Sequence, residues 1–110
     1  MEYNPLEETE VTLFGRQETT FSLPIFVTND DDTDFDFTNY TATMSLKERY
    51  DGDSVLDMSI ALTTGLIDIS KKATGMTIEN GLYYYDLKIT KELITHRWIY
   101  GTILIQPKVT

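Results

Sequence analysis

The run Asn29-Asp30-Asp31-Asp32-Thr33-Asp34-Phe35-Asp36 is the densest set of candidate ligands in the chain. Asp30, Asp32 and Asp34 alternate as carboxylates do at the start of a calcium loop. An EF-hand also needs Gly at the sixth loop position and a bidentate Glu at the twelfth. Counted from Asp30, those positions hold Phe35 and Thr41. The run therefore reads as a solvated hairpin turn. Calcium on Asp30, Asp32 and Asp34 is the second reading, because a hard cation accepts an irregular carboxylate loop. No other cofactor is expected.

His96 is the only histidine and lies in the polar stretch Thr95-His96-Arg97. One imidazole cannot build a His-based metal site, and no serine sits in a G-x-S-x-G elbow. The chain has no cysteine, so it offers no thiolate nucleophile, disulfide or Cys-ligated metal. Glycosidase chemistry needs two carboxylates across a cleft, and nothing in the pattern marks such a pair. The glycines Gly15, Gly52, Gly65, Gly75, Gly81 and Gly101 stand singly, which suits turns or close backbone approaches and not a phosphate cradle. No catalytic residue is assigned, and an enzyme is not expected.

The elements that carry these residues have period two. Phe21, Leu23, Ile25 and Val27 alternate with more polar neighbours. So do Tyr40, Ala42, Met44 and Leu46, and Tyr83, Tyr85, Leu87 and Ile89. This is the pattern of half-buried strands. Residues 98–105 are apolar at both parities and read as a central strand. Shorter candidates lie at 11–14, 55–60, 66–69 and 75–79. Pro24 has no N–H for a ladder, so its strand is expected to be an edge or to carry a bulge. Turn residues separate the runs at Asn29 to Asp32, Asp51-Gly52-Asp53, Thr64-Gly65, Thr74-Gly75 and Asn80-Gly81. Residues 90–96 are the best helix candidate, a turn or two long. About seven or eight short strands at this spacing indicate an all-β, immunoglobulin-like antiparallel sandwich.

Charge divides the chain unevenly. Residues 1–40 carry ten acids and one base, Arg16, while residues 41–110 carry eight acids and eight bases. The net charge of −9 thus lies wholly in the lead and the aspartate turn. Such a chain repels phosphate, so neither nucleic acid nor an anionic membrane is an expected partner. The acids keep the domain soluble or form a docking surface for a basic partner. No apolar run is long enough to span a bilayer. The opening Met-Glu-Tyr-Asn-Pro lacks the basic and apolar regions of a secretory leader, so none is expected. Residues 1–10 read as an extended N-terminal arm, either mobile or ordered by a neighbour, and residues 11–110 as a single domain. Tyr83-Tyr84-Tyr85, Trp98 and Tyr100 concentrate aromatic surface. Tyr83 and Tyr85 share one face of their strand, which leaves Tyr84 on the other, where it packs at the rim or meets a partner.

The order of these pieces resembles a known family. Gly15-Arg16-Gln17-Glu18-Thr19 leads into a strand, followed by an acidic turn and Asp36-Phe37-Thr38-Asn39-Tyr40-Thr41-Ala42-Thr43-Met44-Ser45-Leu46. That segment is similar to the "D-L-T-G-Y-T-A-x-M-x-L-R" strand of small structural domains of tailed bacteriophages, which resemble the N-terminal module of phage upper baseplate proteins. Asn80-Gly81-Leu82-Tyr83-Tyr84-Tyr85-Asp86-Leu87 is similar to their "L-x-x-G-x-Y-x-Y-D-L" strand. The end, from Trp98 to Thr110, resembles their "L-x-G-x-x-x-V-x-P-x-V-T". The resemblance covers about residues 15–110. Asn39 stands where the family has Gly, and Phe37 where it has Leu. With the sequence closing on its last strand at Thr110, no fibre or receptor-binding region is expected, and a standalone virion component is expected over a baseplate role.

The resemblance implies a non-enzymatic structural protein of the virion, assembled in the bacterial cytoplasm: an adaptor, a fibre anchor or a head-decorating protein. It implies contacts with other virion proteins and a homo-oligomer. Tyr3, Leu6, Phe26, Phe35 and Tyr84 are the expected interface residues. The alternative is a module that binds carbohydrate or a host surface through exposed Tyr84 and Trp98.

Overall fold

A computed structural model describes residues 2–3 and 8–108 of the chain. Ten strands and one 3-10 turn make up its regular structure among the described residues. They are β1 (Glu2–Tyr3), β2 (Thr9–Glu10), β3 (Leu13–Arg16), β4 (Phe21–Val27), β5 (Tyr40–Lys47), β6 (Ser54–Asp57), β7 (Ser59–Thr63), β8 (Leu66–Lys71), β9 (Gly81–Lys91) and β10 (Ile94–Gln106). A four-stranded sheet has the order β1-β4-β8-β7. A six-stranded sheet runs β2-β10-β9-β5-β6, with β3 also on β10. The two sheets face each other as an immunoglobulin-like sandwich. Most pairings are antiparallel, but β1 on β4 and both β2 and β3 on β10 are parallel. The pieces of the arm described at residues 2–3 and 9–10 therefore pair with the chain's own strands.

The core is the inward parity of these strands. Ile25, Val27, Met44, Leu46, Ile67, Ile69, Leu87, Ile89, Ile103 and Ile105 are almost fully buried. No charged or polar side chain is buried among the described residues, so the core has no desolvated charge to offset. Pro24 sits neither in an edge strand nor at a bulge, because β4 lies between β1 and β8 in continuous register with β8. Val27 donates its N–H to the Gly65 carbonyl beside β8, so by alternation the nitrogen of Pro24 faces away from β8, on the side where β1 pairs with Phe26 and Val27, and takes no bond from the β8 ladder.

Three segments also differ from the reading of the sequence. Residues 90–96 are no helix: they are a β-hairpin in which β9 turns into β10 over Glu92 and Leu93, with Glu92 at φ 57. Isolated helical turns gain too few hydrogen bonds to outweigh a ladder that already runs along β9. Residues 75–79 are no strand, because Ala73–Gly75 forms a 3-10 turn that drops Met76 into the core. The 55–60 candidate divides into β6 and β7, because the chain changes sheets at Met58, whose N–H bonds the Met44 carbonyl at 2.9 Å. With β1 and β2, this raises the strand number to ten. Asn39, which replaces the glycine of the resembled motif, sits at φ 67. Asparagine tolerates that left-handed conformation better than most residues, so the turn keeps its shape.

One crossing organises the edge of the larger sheet. Between β2 and β3 the chain passes over Gly101, and the Val11 N–H bonds the Tyr100 carbonyl at 2.9 Å. A Cβ on Gly101 would lie 2.4 Å from the Val11 carbonyl oxygen. That same oxygen accepts a 2.6 Å hydrogen bond from the Tyr85 hydroxyl. Burial holds the Tyr85 phenol well above its ordinary value of 10.0, and Glu10 adds a smaller push in the same direction.

Two outcomes follow. Gly101 and Gly81 share a backbone conformation, at φ 147 and φ 150, but nothing lies near the Cβ position of Gly81. In denaturant unfolding, Gly101→Ala is expected to lose about 1–3 kcal/mol more than Gly81→Ala, the cost of overpacking against backbone. Equal losses would remove the crossing as a constraint. At alkaline pH the unfolded Tyr85 ionises near 10.0 while the folded one keeps its proton. The folded state then binds more protons, so stability falls as pH rises above about 10. Tyr85→Phe is expected to cost about 1 kcal/mol at neutral pH and to make that alkaline fall shallower, as read from melting temperature against pH.

Candidate functional site

The outward parity of the six-stranded sheet carries an exposed apolar stripe. Register places Phe14 of β3 beside Leu104 of β10, and Leu104 beside Leu82 of β9. Phe14 is 63% exposed and Leu82 55%. The next row along is Thr102, Tyr84 and Lys47. Tyr84 is 38% exposed, and its ring meets that of Tyr50 edge-on at 6.2 Å. Tyr50 belongs to the β5–β6 turn, which folds back over the sheet, and its hydroxyl accepts a hydrogen bond from Arg97. Arg97 in turn lies 4.1 Å from the centre of the Tyr100 ring and pairs with Glu8. The Glu8 carboxylate, ahead of the Tyr50 hydroxyl, keeps the guanidinium protonated. The face thus runs from an apolar end, at Phe14 and Leu82, to a ring-and-guanidinium end at Tyr100 and Arg97.

The aspartate turn is a closed loop. The Asn29 N–H bonds the Thr33 carbonyl at 2.8 Å, and Asp32 takes φ 65. Asp31 accepts from both the hydroxyl and the N–H of Thr33, and these bonds lower its pKa. Asp36 does the same with Thr38, and Asp57 accepts from Ser45 and Ser54. Hydroxyl donors lower the pKa of both carboxyls. Among the described residues no three acids or imidazoles gather where they could hold a metal ion. His96 is exposed on the β9–β10 hairpin, opposite Ile89. Two surface cavities are shallow. One of about 270 Å³ lies between β3 and the start of β4, against Phe14, Arg16 and Phe21. The other, of about 240 Å³, holds Glu18 and Lys108, which pair with each other at 3.1 Å.

The expected interface residues are scattered. Tyr84 stands on the exposed face. Phe26 is 49% exposed on the opposite sheet, beside Leu66. Phe35 packs inward: its ring lies 4.8 Å from Phe37, 5.5 Å from Tyr40 and 5.5 Å from Trp98. Phe35 is nevertheless only partly buried by these rings. Tyr3 lies in β1, and Leu6 lies outside the described residues. Trp98 is also turned inward. A bulge between Arg97 and Ile99 gives β10 one extra residue, and both Trp98 and Ile99 are buried. Trp98 therefore offers no exposed platform for a sugar ring. Phe14, Tyr50, Leu82 and Arg97 were not expected at the site. Leu82 shares the outward parity of Tyr84, and that was the available signal.

No family model matches the chain, and no curated protein matches it. Among solved structures, the N-terminal domain of phage TP901-1 ORF48 aligns over 96% of this chain and 94% of its own, with TM-score 0.56 and 9% identity. The cysteine protease inhibitor EhICP2 of Entamoeba histolytica aligns over 96% and 93%, with TM-score 0.45 and 14% identity. The chain shares the fold of the phage domain along nearly its whole length.

Trp98 is the only tryptophan, which makes its burial directly readable. Its emission is expected to be blue-shifted and resistant to acrylamide quenching in the native state. A red, readily quenched spectrum would place the indole on the surface and restore a ring-stacking platform.

Proposed function

We propose that this chain is a structural component of a tailed-phage particle, an adaptor, fibre anchor or decoration protein that works through protein–protein contacts. The observation that carries the reading is the fold shared with a phage domain from end to end. It is supported by the order of sequence motifs from Gly15 to Thr110 that resembles phage structural domains. The surface chemistry is of the same kind. Phe14, Leu82 and Tyr84 stand out from a rigid sheet, and partly exposed aromatics are enriched where proteins meet. Asp31, Asp36 and Asp57 are tied to Ser and Thr hydroxyls, an arrangement that fixes local backbone rather than poising a base.

Mass spectrometry of purified particles from the host that carries the gene tests the reading. The chain is expected among the virion proteins in a fixed ratio to the major structural subunits. Its absence from particles, with the protein present in the infected cell, would overturn the proposal.

A further inference from the structure

The exposed large apolar side chains fall mainly into two groups that carry opposite charge around them. The first is the stripe of Phe14, Leu104 and Leu82. Arg16 lies two residues beyond Phe14 on β3, and Lys47 lies beside Tyr84 in the neighbouring row. Neither makes an ion pair among the described residues. The second is the tip of the β9–β10 hairpin, where Leu93 is 99% exposed and Ile94 61%. Its rim is acidic. Lys91 lies over the Tyr40 ring, 5.1 Å from its centre, and its charge acts on Asp36. Phe35 lies against Trp98 near the start of β10. These contacts set the aspartate turn, with Asp30, Asp31, Asp32, Asp34 and Asp36 all exposed, at the same end of the sandwich as Glu92 and Leu93.

We propose that the Leu93–Ile94 tip of one copy docks on the Phe14–Leu104–Leu82 stripe of a second copy, with the acidic rim facing Arg16 and Lys47. The charges choose among the arrangements two copies can take. Tip against tip opposes aspartates to aspartates. Stripe against stripe opposes Arg16 and Lys47 to their own copies. Only tip against stripe joins apolar surface to apolar surface and acid to base, and like-charge opposition is strongly disfavoured at an interface. The two patches are different, so the contact is head-to-side and extends to a ring or an open chain. It deepens the structural role proposed above and relies on it only for the biological setting.

The test uses the full chain in light scattering at concentrations up to about 1 mM, a range that includes weak contacts. The wild type is expected to gain mass with concentration and to lose that gain as salt screens the charges. Leu93→Glu and Leu82→Glu each alter an exposed side chain and are expected to stay monomeric with wild-type melting temperatures. Mixed together they are expected to form a one-to-one pair, because the first keeps an intact stripe and the second an intact tip. Should either variant melt early, Ile94→Glu and Phe14→Glu replace the pair. A wild type that stays monomeric throughout would overturn the contact, as would a mixture that fails to associate. Neither result would alter the presence of the chain in particles, which is read separately by mass spectrometry.

Discussion

The absence of a side chain at Gly101 is the constraint on which the larger sheet depends. It lets the Val11 carbonyl come within reach of the Tyr85 hydroxyl across the face of β10. Val11 is the link between β2 and β3, so this one contact fixes both parallel pairings onto β10. A slip of one residue there would turn Phe14 inward and Leu13 outward. The register of Phe14 against Leu104, and with it the exposed stripe, is therefore a consequence of the crossing. The Tyr85 hydroxyl also satisfies an acceptor on a chain segment that lacks a regular ladder, and the bond closes over the sheet without placing any charge in the core.

Toward the start of β10 the sandwich is held by rings. Phe35 and Phe37 lie 4.8 Å apart, and each lies within 6.0 Å of both Tyr40 and Trp98, in tilted and edge-on pairs. Such geometries add about 0.5–1.5 kcal/mol per pair to the burial itself. The bulge in β10 makes this possible, because it turns Trp98 to the same side as Ile99. The packing has a consequence at the surface. It fastens the segment that follows the aspartate turn to the start of β10, so the acidic loop and the β9–β10 hairpin are held side by side rather than swinging independently.

The sandwich was legible in the sequence because its inward residues repeat at a period that helices do not have. Tyr83, Tyr85, Leu87 and Ile89 are buried where alternation puts them. What was not legible depends on contacts between distant segments. The polar run at 90–96 has no apolar period of its own, and only the ladder between β9 and β10 makes it a hairpin. Met76 reads as a strand residue until the 3-10 turn before it is seen. Trp98 sits in a run that is apolar at both parities, so alternation alone gave it no side, and the bulge decided the matter. Tyr50 is reachable from Arg97 only because the β5–β6 turn folds back over the sheet. Tyr84 was legible as a surface residue, and the same parity extends to Leu82.

The physics of docking favours the surfaces this chain exposes. Ordering a rotamer-rich side chain on binding costs about 0.5–1.5 kcal/mol. Phe14, Leu82 and Tyr84 rise from ladder-bonded strands and Leu93 from a two-residue turn between the longest strands, so their backbones are already ordered. Tyr84 is further held by Tyr50, itself bonded to Arg97. Apolar groups presented in this way gain their burial energy on contact with little ordering to offset, about 25 cal/mol for each Å² removed from water. The carboxylates of the turns act in the same direction. Bound by Ser and Thr hydroxyls, Asp31, Asp36 and Asp57 hold their segments in one conformation and keep their charge at the surface, where it would direct which patch an incoming protein meets.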